Sequence, residues 1–169
     1  MGSLFGGRRL EIWLPIVVVV LDQITKAVVR ATLPLHESTT VIPGFFDFTH
    51  VRNTGAAFGM LNSVDFPGKT LLLSLIAAGA LIGIAMYSLA LASHQWAARL
   101  GLALVSGGAA GNLIDRLLMG SVVDFIDVYW RSWHFWTFNV ADSAITVGVT
   151  IMIVDMLGLG GRPAQDHVT

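Results

Sequence analysis

Apolar residues run through this chain in four long stretches, each close to the ~20 residues that a bilayer-spanning helix needs. They occupy positions 12–31, 70–93, 97–118 and 140–160. The first, IWLPIVVVVLDQITKAVVRA, is purely apolar in its first half and carries Asp22, Gln23, Lys26 and Arg30 in its second. Arg8 and Arg9 precede it, as in a cleavable signal peptide. No small-x-small site follows closely, however, and polar residues interrupt the distal half, so it reads as a retained span. Stretches two and three are joined by a short turn, HQWA; the other two connections are long. The one from Thr32 to Lys69 holds strand-like pieces, TTVI and FFDFTHV, separated by Pro43-Gly44, and predicts a small β-element lying on the membrane. The one before the fourth stretch contains DVYWRSWHFWTF. Trp130, Trp133 and Trp136 there suit a membrane–water interface, as do Trp13 and Trp96 at the opposite helix ends. No long repeat or low-complexity linker occurs, and the ends, MGSLFGG and GGRPAQDHVT, read as short mobile tails.

Four spans put both termini on one side and both long connections on the other. Asp22 and Lys26 then lie at the loop-side end of the first helix. Asn112, Asp115 and Arg116 lie at that end of the third, and Asn139, Asp142 and Ser143 at that end of the fourth. Arg52 and Asn53 lie in a loop on the same side, and Asp155, toward the other end, is the exception. Arg8, Arg9, Arg99 and Arg162 on the termini side, against Arg52, Lys69 and Arg131, favour cytoplasmic termini.

Composition agrees with a membrane protein. Of 169 residues, 54% are hydrophobic and 12% charged, against ~25% charged in a soluble domain. The expected architecture is an all-α membrane protein forming a single domain, 1–169. The net charge of −1 argues against a nucleic-acid partner, and the absence of cysteine excludes a disulfide framework, a thiol nucleophile and a thiolate metal site.

Ionisable groups at membrane depth cost kilocalories, which makes a functional site the default reading. Structural alternatives stand beside it. Asp22 and Lys26, at i and i+4, could simply pair. Asp115 beside Arg116 could form a local ion pair that orders the end of the third helix. Asp124 differs: in VVDFI it has apolar neighbours and no adjacent cation, so desolvation should raise its pKa. Asp142 follows NVA at a helix start, where the dipole favours negative charge. Two such carboxyls can share a proton and activate a water. Other chemistries fit less well. No H-E-x-x-H or G-x-S-x-G occurs, and His36, His50, His94, His134 and His167 are scattered, so no metal is expected. A Ser–Lys pair built from Ser143 or Ser121 with Lys26 has no support beyond its residue types. GGAAG resembles a phosphate loop only superficially; inside a span, Gly107 and Gly111 mean close helix packing.

LDQITK (21–26), RNTGAAFG (52–59), GGAAGNLIDR (107–116), VVDFI (122–126) and FNVADSAITVG (138–148) together resemble the bacterial lipoprotein signal peptidase, or type II signal peptidase, family. The blocks stand in the family's order and spacing and cover nearly the whole chain; five in register are highly specific. The resemblance implies a four-helix aspartic endopeptidase of the bacterial inner membrane with a small extracytoplasmic β-cradle, termini in the cytoplasm and its active site near the outer face. It implies removal of the signal peptide from prolipoproteins by cutting just before a cysteine that already bears diacylglycerol. By motif, Asp124 and Asp142 would be the catalytic pair. Asn53, Gly55, Asn112, Arg116 and Asn139 would position substrate and catalytic groups, with Asp22 and Lys26 supporting them from the first helix. Asp115 lies in an equally marked motif and stays open as an alternative partner of Asp142; a carboxyl that shares a proton should not sit beside a permanent cation, which favours Asp124. No cofactor is implied, and the inhibitor globomycin is expected to block the enzyme.

Two readings from other classes set the contrast. A proton-coupled carrier would spread polar residues through the depth of several spans, whereas here they crowd one face. A membrane adaptor would have no need of the aspartates.

Overall fold

The computed structural model describes residues 9–55, 61, 64 and 66–158. Both expected tails, and residues 56–59 of the RNTGAAFG block, lie outside them. In chain order the elements are α1 (Arg9–Thr32), β1 (Ser38–Ile42), β2 (Phe46–Asn53), α2 (Lys69–Ala90), α3 (Trp96–Met119), β3 (Val122–Trp130), β4 (Trp133–His134) and α4 (Val140–Met156).

The helices are arranged for lipid rather than water. On α1 the buried residues are Val18, Asp22, Lys26 and Val29, one stripe at helical spacing, while Ile12, Trp13, Val17, Val20, Leu21, Ile24 and Val28 are exposed. A polar stripe turned inward beneath an apolar outer surface inverts the soluble pattern. α1, α2 and α3 are each long and apolar enough to cross a membrane. α4 has 17 residues, a length of ~25 Å against a hydrocarbon core of ~30 Å. The sequence places the end of that stretch at 160, but the helix stops at Met156 and residues 159–160 lie outside the described region.

α3 is the central helix and packs on α1, α2 and α4. Its glycines permit the approach. A Cβ at Gly107 would lie 2.7 Å from Val18 Cβ on α1, and one at Gly111 would lie 2.6 Å from Asp22 Oδ2. A Cβ at Gly108 would collide with the Ala141 carbonyl of α4. The GGAAG segment therefore serves close packing, as expected. At the far end of the bundle Arg99 of α3 pairs with Glu11 of α1.

The strands form one antiparallel sheet in the order β1-β2-β3-β4. β1 and β2 coincide with TTVI and FFDFTHV. β3 is a difference from the sequence reading, which treats VVDFI as part of a connection. All four of its first residues are buried, so the strand lacks the in/out alternation by which half-buried strands are recognised. Gly120, at φ 72°, closes α3 in the left-handed conformation, donating its N–H to the Arg116 carbonyl (3.0 Å), and turns the chain directly into β3. Trp130, Trp133 and Trp136 are exposed around the β3–β4 hairpin.

Candidate active site

The loop-side end of the bundle meets the sheet in one continuous hydrogen-bonded network that joins Asp22, Lys26, Asn53, Gly55, Asn112, Asp115, Arg116, Asp124, Asn139 and Asp142. Lys26 is its centre. Fully buried, the ammonium reaches Asp22 Oδ2 (2.8 Å), Asp115 Oδ2 (3.0 Å) and Asn112 Oδ1 (2.9 Å). An ammonium has three protons, and all three are used. Lys26 is therefore no general base for a serine, and Ser143 donates instead to the Asn139 carbonyl (2.9 Å).

The carboxylates divide into two kinds. Asp22 and Asp115 are saturated. Asp22 Oδ1 accepts the Ala141 N–H at the start of α4 (3.0 Å). Asp115 accepts Gln23 Nε2 on Oδ1 (3.0 Å), and the Val123 N–H (3.1 Å) together with Lys26 on Oδ2. Asp115 thus pairs with Lys26 rather than with its sequence neighbour Arg116. Adjacent helical residues point about 100° apart and do not face each other. The Asp22–Lys26 pair does form, but it is one part of a larger anchor joining α1, α3, β3 and α4.

Asp124 is held by amides instead. β2 and β3 pair so that Asn53 opposes Val122 and Val51 opposes Asp124, which makes Asn53 and Asp124 diagonal neighbours on one face. Asn53 Nδ2 donates to Asp124 Oδ2 (3.1 Å) and Asn139 Nδ2 to Oδ1 (2.6 Å). Asn139 reaches it because Phe138 bridges Ile126 of β3. Its own Oδ1 caps α4 by accepting the Asp142 N–H (2.9 Å). One asparagine thus sets both aspartates. Asp142 is half-buried and accepts a hydrogen bond from Asn112 Nδ2 (2.8 Å).

Burial pushes the Asp124 carboxyl up to about 7. The charge of Asp142 adds to the rise, while the hydrogen bonds from Asn53 and Asn139 and the charge of Lys26 oppose it. Arg116 closes the site from the other side: Nη2 donates to the Gly55 carbonyl (2.9 Å), and its charge acts on Asp142, Asp124 and Asp115. The Gly55 N–H returns to Asn53 Oδ1 (2.8 Å), so this turn braces the asparagine that holds Asp124.

Gln23, not among the site residues expected from sequence, also belongs to the network. Its amide touches Asp22 Oδ2 (3.2 Å), the Gly111 carbonyl (3.2 Å) and Asp115 Oδ1 (3.0 Å). Its place three residues before Lys26, on the same helix face, is the signal that could have found it.

Residues 14–158 match the family described as Signal peptidase (SPase) II. The chain belongs to the signal peptidase II family. It is similar to the lipoprotein signal peptidase of Geobacter metallireducens, 43% identical over 148 residues, 88% of this chain and 90% of that one. It is also similar to that of Geobacter sulfurreducens, 47% identical over 138 residues, 82% of this chain and 85% of that one. The lipoprotein signal peptidase of Pseudomonas aeruginosa is 43% identical over 152 residues, 89% of each chain. Among solved structures, a bacterial membrane enzyme determined by the in meso method superposes with a TM-score of 0.81 at 34% identity, covering 94% of both chains. As a signal peptidase II, the chain is a membrane protease.

Proposed function

We propose that the protein is an intramembrane aspartic endopeptidase of the bacterial inner membrane. It removes the signal peptide from diacylglyceryl-modified prolipoproteins by cutting just before the lipidated cysteine. In this reading α4 is a fourth span, the termini are cytoplasmic, the site opens near the outer face, and the aromatic hairpin lies at the interface. The observation that carries it is the contrast among the carboxyls. Asp115 is ion-paired with Lys26 and filled by hydrogen bonds, whereas burial raises Asp124 to about 7 beside Asp142. One proton held between these two carboxyls is the state the reaction needs.

The chemistry follows from the proton count. Asp142, ionised, takes a proton from a water whose oxygen attacks the carbonyl carbon of the residue before the cysteine. Asp124 gives its proton to the carbonyl oxygen, and a diol forms. One hydroxyl of the diol returns its proton to Asp124 as the C–N bond breaks, and Asp142 gives the proton it took from water to the cysteine nitrogen. The products are a signal-peptide carboxylate and a lipoprotein with a free cysteine amine. Asn53 and Asn139 orient Asp124, Asn112 orients Asp142, and Arg116, Gly55, Asp22, Lys26 and Asp115 hold the frame. The test is purified enzyme with a modified prolipoprotein, read by gel shift. A substrate that stays intact would overturn the reading, and inhibition by globomycin is expected.

This reaction requires the pair to hold one proton. Below about 7 Asp124 keeps it; above, Asp124 gives it up. The rate is therefore expected to fall on the alkaline side, roughly tenfold per pH unit, in a profile of kcat against pH. Stability follows the same group. Its folded pKa lies above the ordinary 3.8, so the contribution is full below the ordinary value and is lost as pH rises through about 7, on the order of 4 kcal/mol. Chelation is expected to leave the rate unchanged, because the carboxyls supply the proton transfers. Loss of activity in EDTA with recovery on adding a divalent ion would point to a metallopeptidase.

A further inference from the structure

Lys69 is the first residue of α2, where the helix dipole disfavours a cation, yet it is only 5% exposed. A buried ammonium needs filled donors. Its Nζ donates to Thr54 Oγ1 (3.1 Å) and to the Val64 carbonyl (2.8 Å). Thr54 stands between two residues of the site: Asn53, whose amide holds Asp124, and Gly55, whose carbonyl holds Arg116. The next residue of α2, Thr70, donates its hydroxyl to the Gly120 carbonyl (3.1 Å), at the turn that feeds α3 into β3. The start of α2 therefore grips both chain segments that flank Asp124.

We propose that Lys69 is a positioning residue of the peptidase, fixing Thr54 so that Asn53 and Gly55 hold Asp124 and Arg116 in register. This rests on Asp124 being one of the reacting carboxyls. Lys69 itself touches neither aspartate and acts through the backbone of residues 53–55. The groups that act on Asp124 from the packed elements are Lys26 of α1, Arg116 of α3, Asp142 of α4, Asn53 of β2 and the α4 cap Asn139. Replacing Lys69 leaves all of them present, so a change at Asp124 would report their placement.

The experiment compares full-length wild type, Lys69→Met and Lys69→Arg in one detergent, with modified prolipoprotein as substrate. Methionine keeps an apolar stem and removes the donors; arginine keeps donors. For Lys69→Met, kcat is expected to fall about tenfold, with KM within about twofold, because misplacement costs rate before affinity. The alkaline fall of the pH profile should move to higher pH, since the Asn53 hydrogen bond that favours ionised Asp124 is weakened. Lys69→Arg should restore both. A Lys69→Met enzyme with wild-type kcat and pH profile overturns the proposal, as does a loss of kcat with the alkaline fall unmoved. If Lys69→Met does not fold, Thr54→Val decides: a smaller shift in the same direction supports the proposal, and a wild-type profile overturns it. Asp124→Asn is run alongside. If it is inactive while the Lys69 and Thr54 variants behave as wild type, only Lys69's role fails; if it turns over, the assignment of Asp124 fails and Lys69's role falls with it.

Discussion

Asp124→Asn and Asp142→Asn are each expected to lower the rate of prolipoprotein cleavage by about 10³-fold or more, with the protein still inserted and folded. The double variant should be no worse than either single one, because two carboxyls that share a proton act as a unit. Folding should survive because neither aspartate makes an ion pair among the described residues, and the asparagine amides that hold Asp124 can accept or donate. Asp115→Asn should behave differently. It removes a buried partner of Lys26, a loss of about 3–5 kcal/mol when one member of a buried pair is deleted. Its activity should fall mainly with its thermal stability. The assay is gel-shift kinetics beside a melting curve for each variant. Substantial turnover by either Asp124→Asn or Asp142→Asn would end the assignment. An Asp115→Asn enzyme that is inactive yet as stable as wild type would return Asp115 to the catalytic pair.

The second large effect concerns the substrate. A prolipoprotein without diacylglycerol is expected to remain uncut under conditions where the modified chain is cleaved, even in the same membrane. The network lies where the helix ends meet the sheet, with Trp130, Trp133 and Trp136 exposed on the adjoining hairpin. Such a site suits a substrate that arrives laterally from lipid. Burial of acyl chains is worth about 0.8 kcal/mol per CH₂ when they leave water, but chains already in a bilayer gain little from moving between helices. Their contribution is placement. Anchored at the interface, they would fix the depth of the cysteine so that, on the proposed mechanism, the bond before it meets Asp124 and Asp142. Placement of this kind is worth several kcal/mol of barrier. Equal rates on the two substrates would favour a general intramembrane aspartic protease.

By itself the sequence determined the helices, the first hairpin and the end of the bundle at which polar groups gather. Apolar runs specify bilayer helices almost without tertiary context, because an unpaired backbone is intolerable in hydrocarbon. TTVI and FFDFTHV are local strand patterns with a turn between them. Counting helices then brings the loop-side ends of α1, α3 and α4 together, and with them Asp22, Lys26, Asn112, Asp115, Asp142 and Asn139. Tertiary structure decided the partners. Asp115 could have paired with Arg116 or shared a proton with Asp142; only the depth of Lys26 between α1 and α3 assigns it to the ammonium. VVDFI shows no strand period because its first four residues are all buried in the fold, on both sides of the strand. Gln23 and Lys69 are inconspicuous in the chain because their roles depend on carbonyls and carboxylates brought in from other elements. Side-chain type is written locally, but which hydrogen bonds a buried group makes is settled only when packing brings its partners within reach.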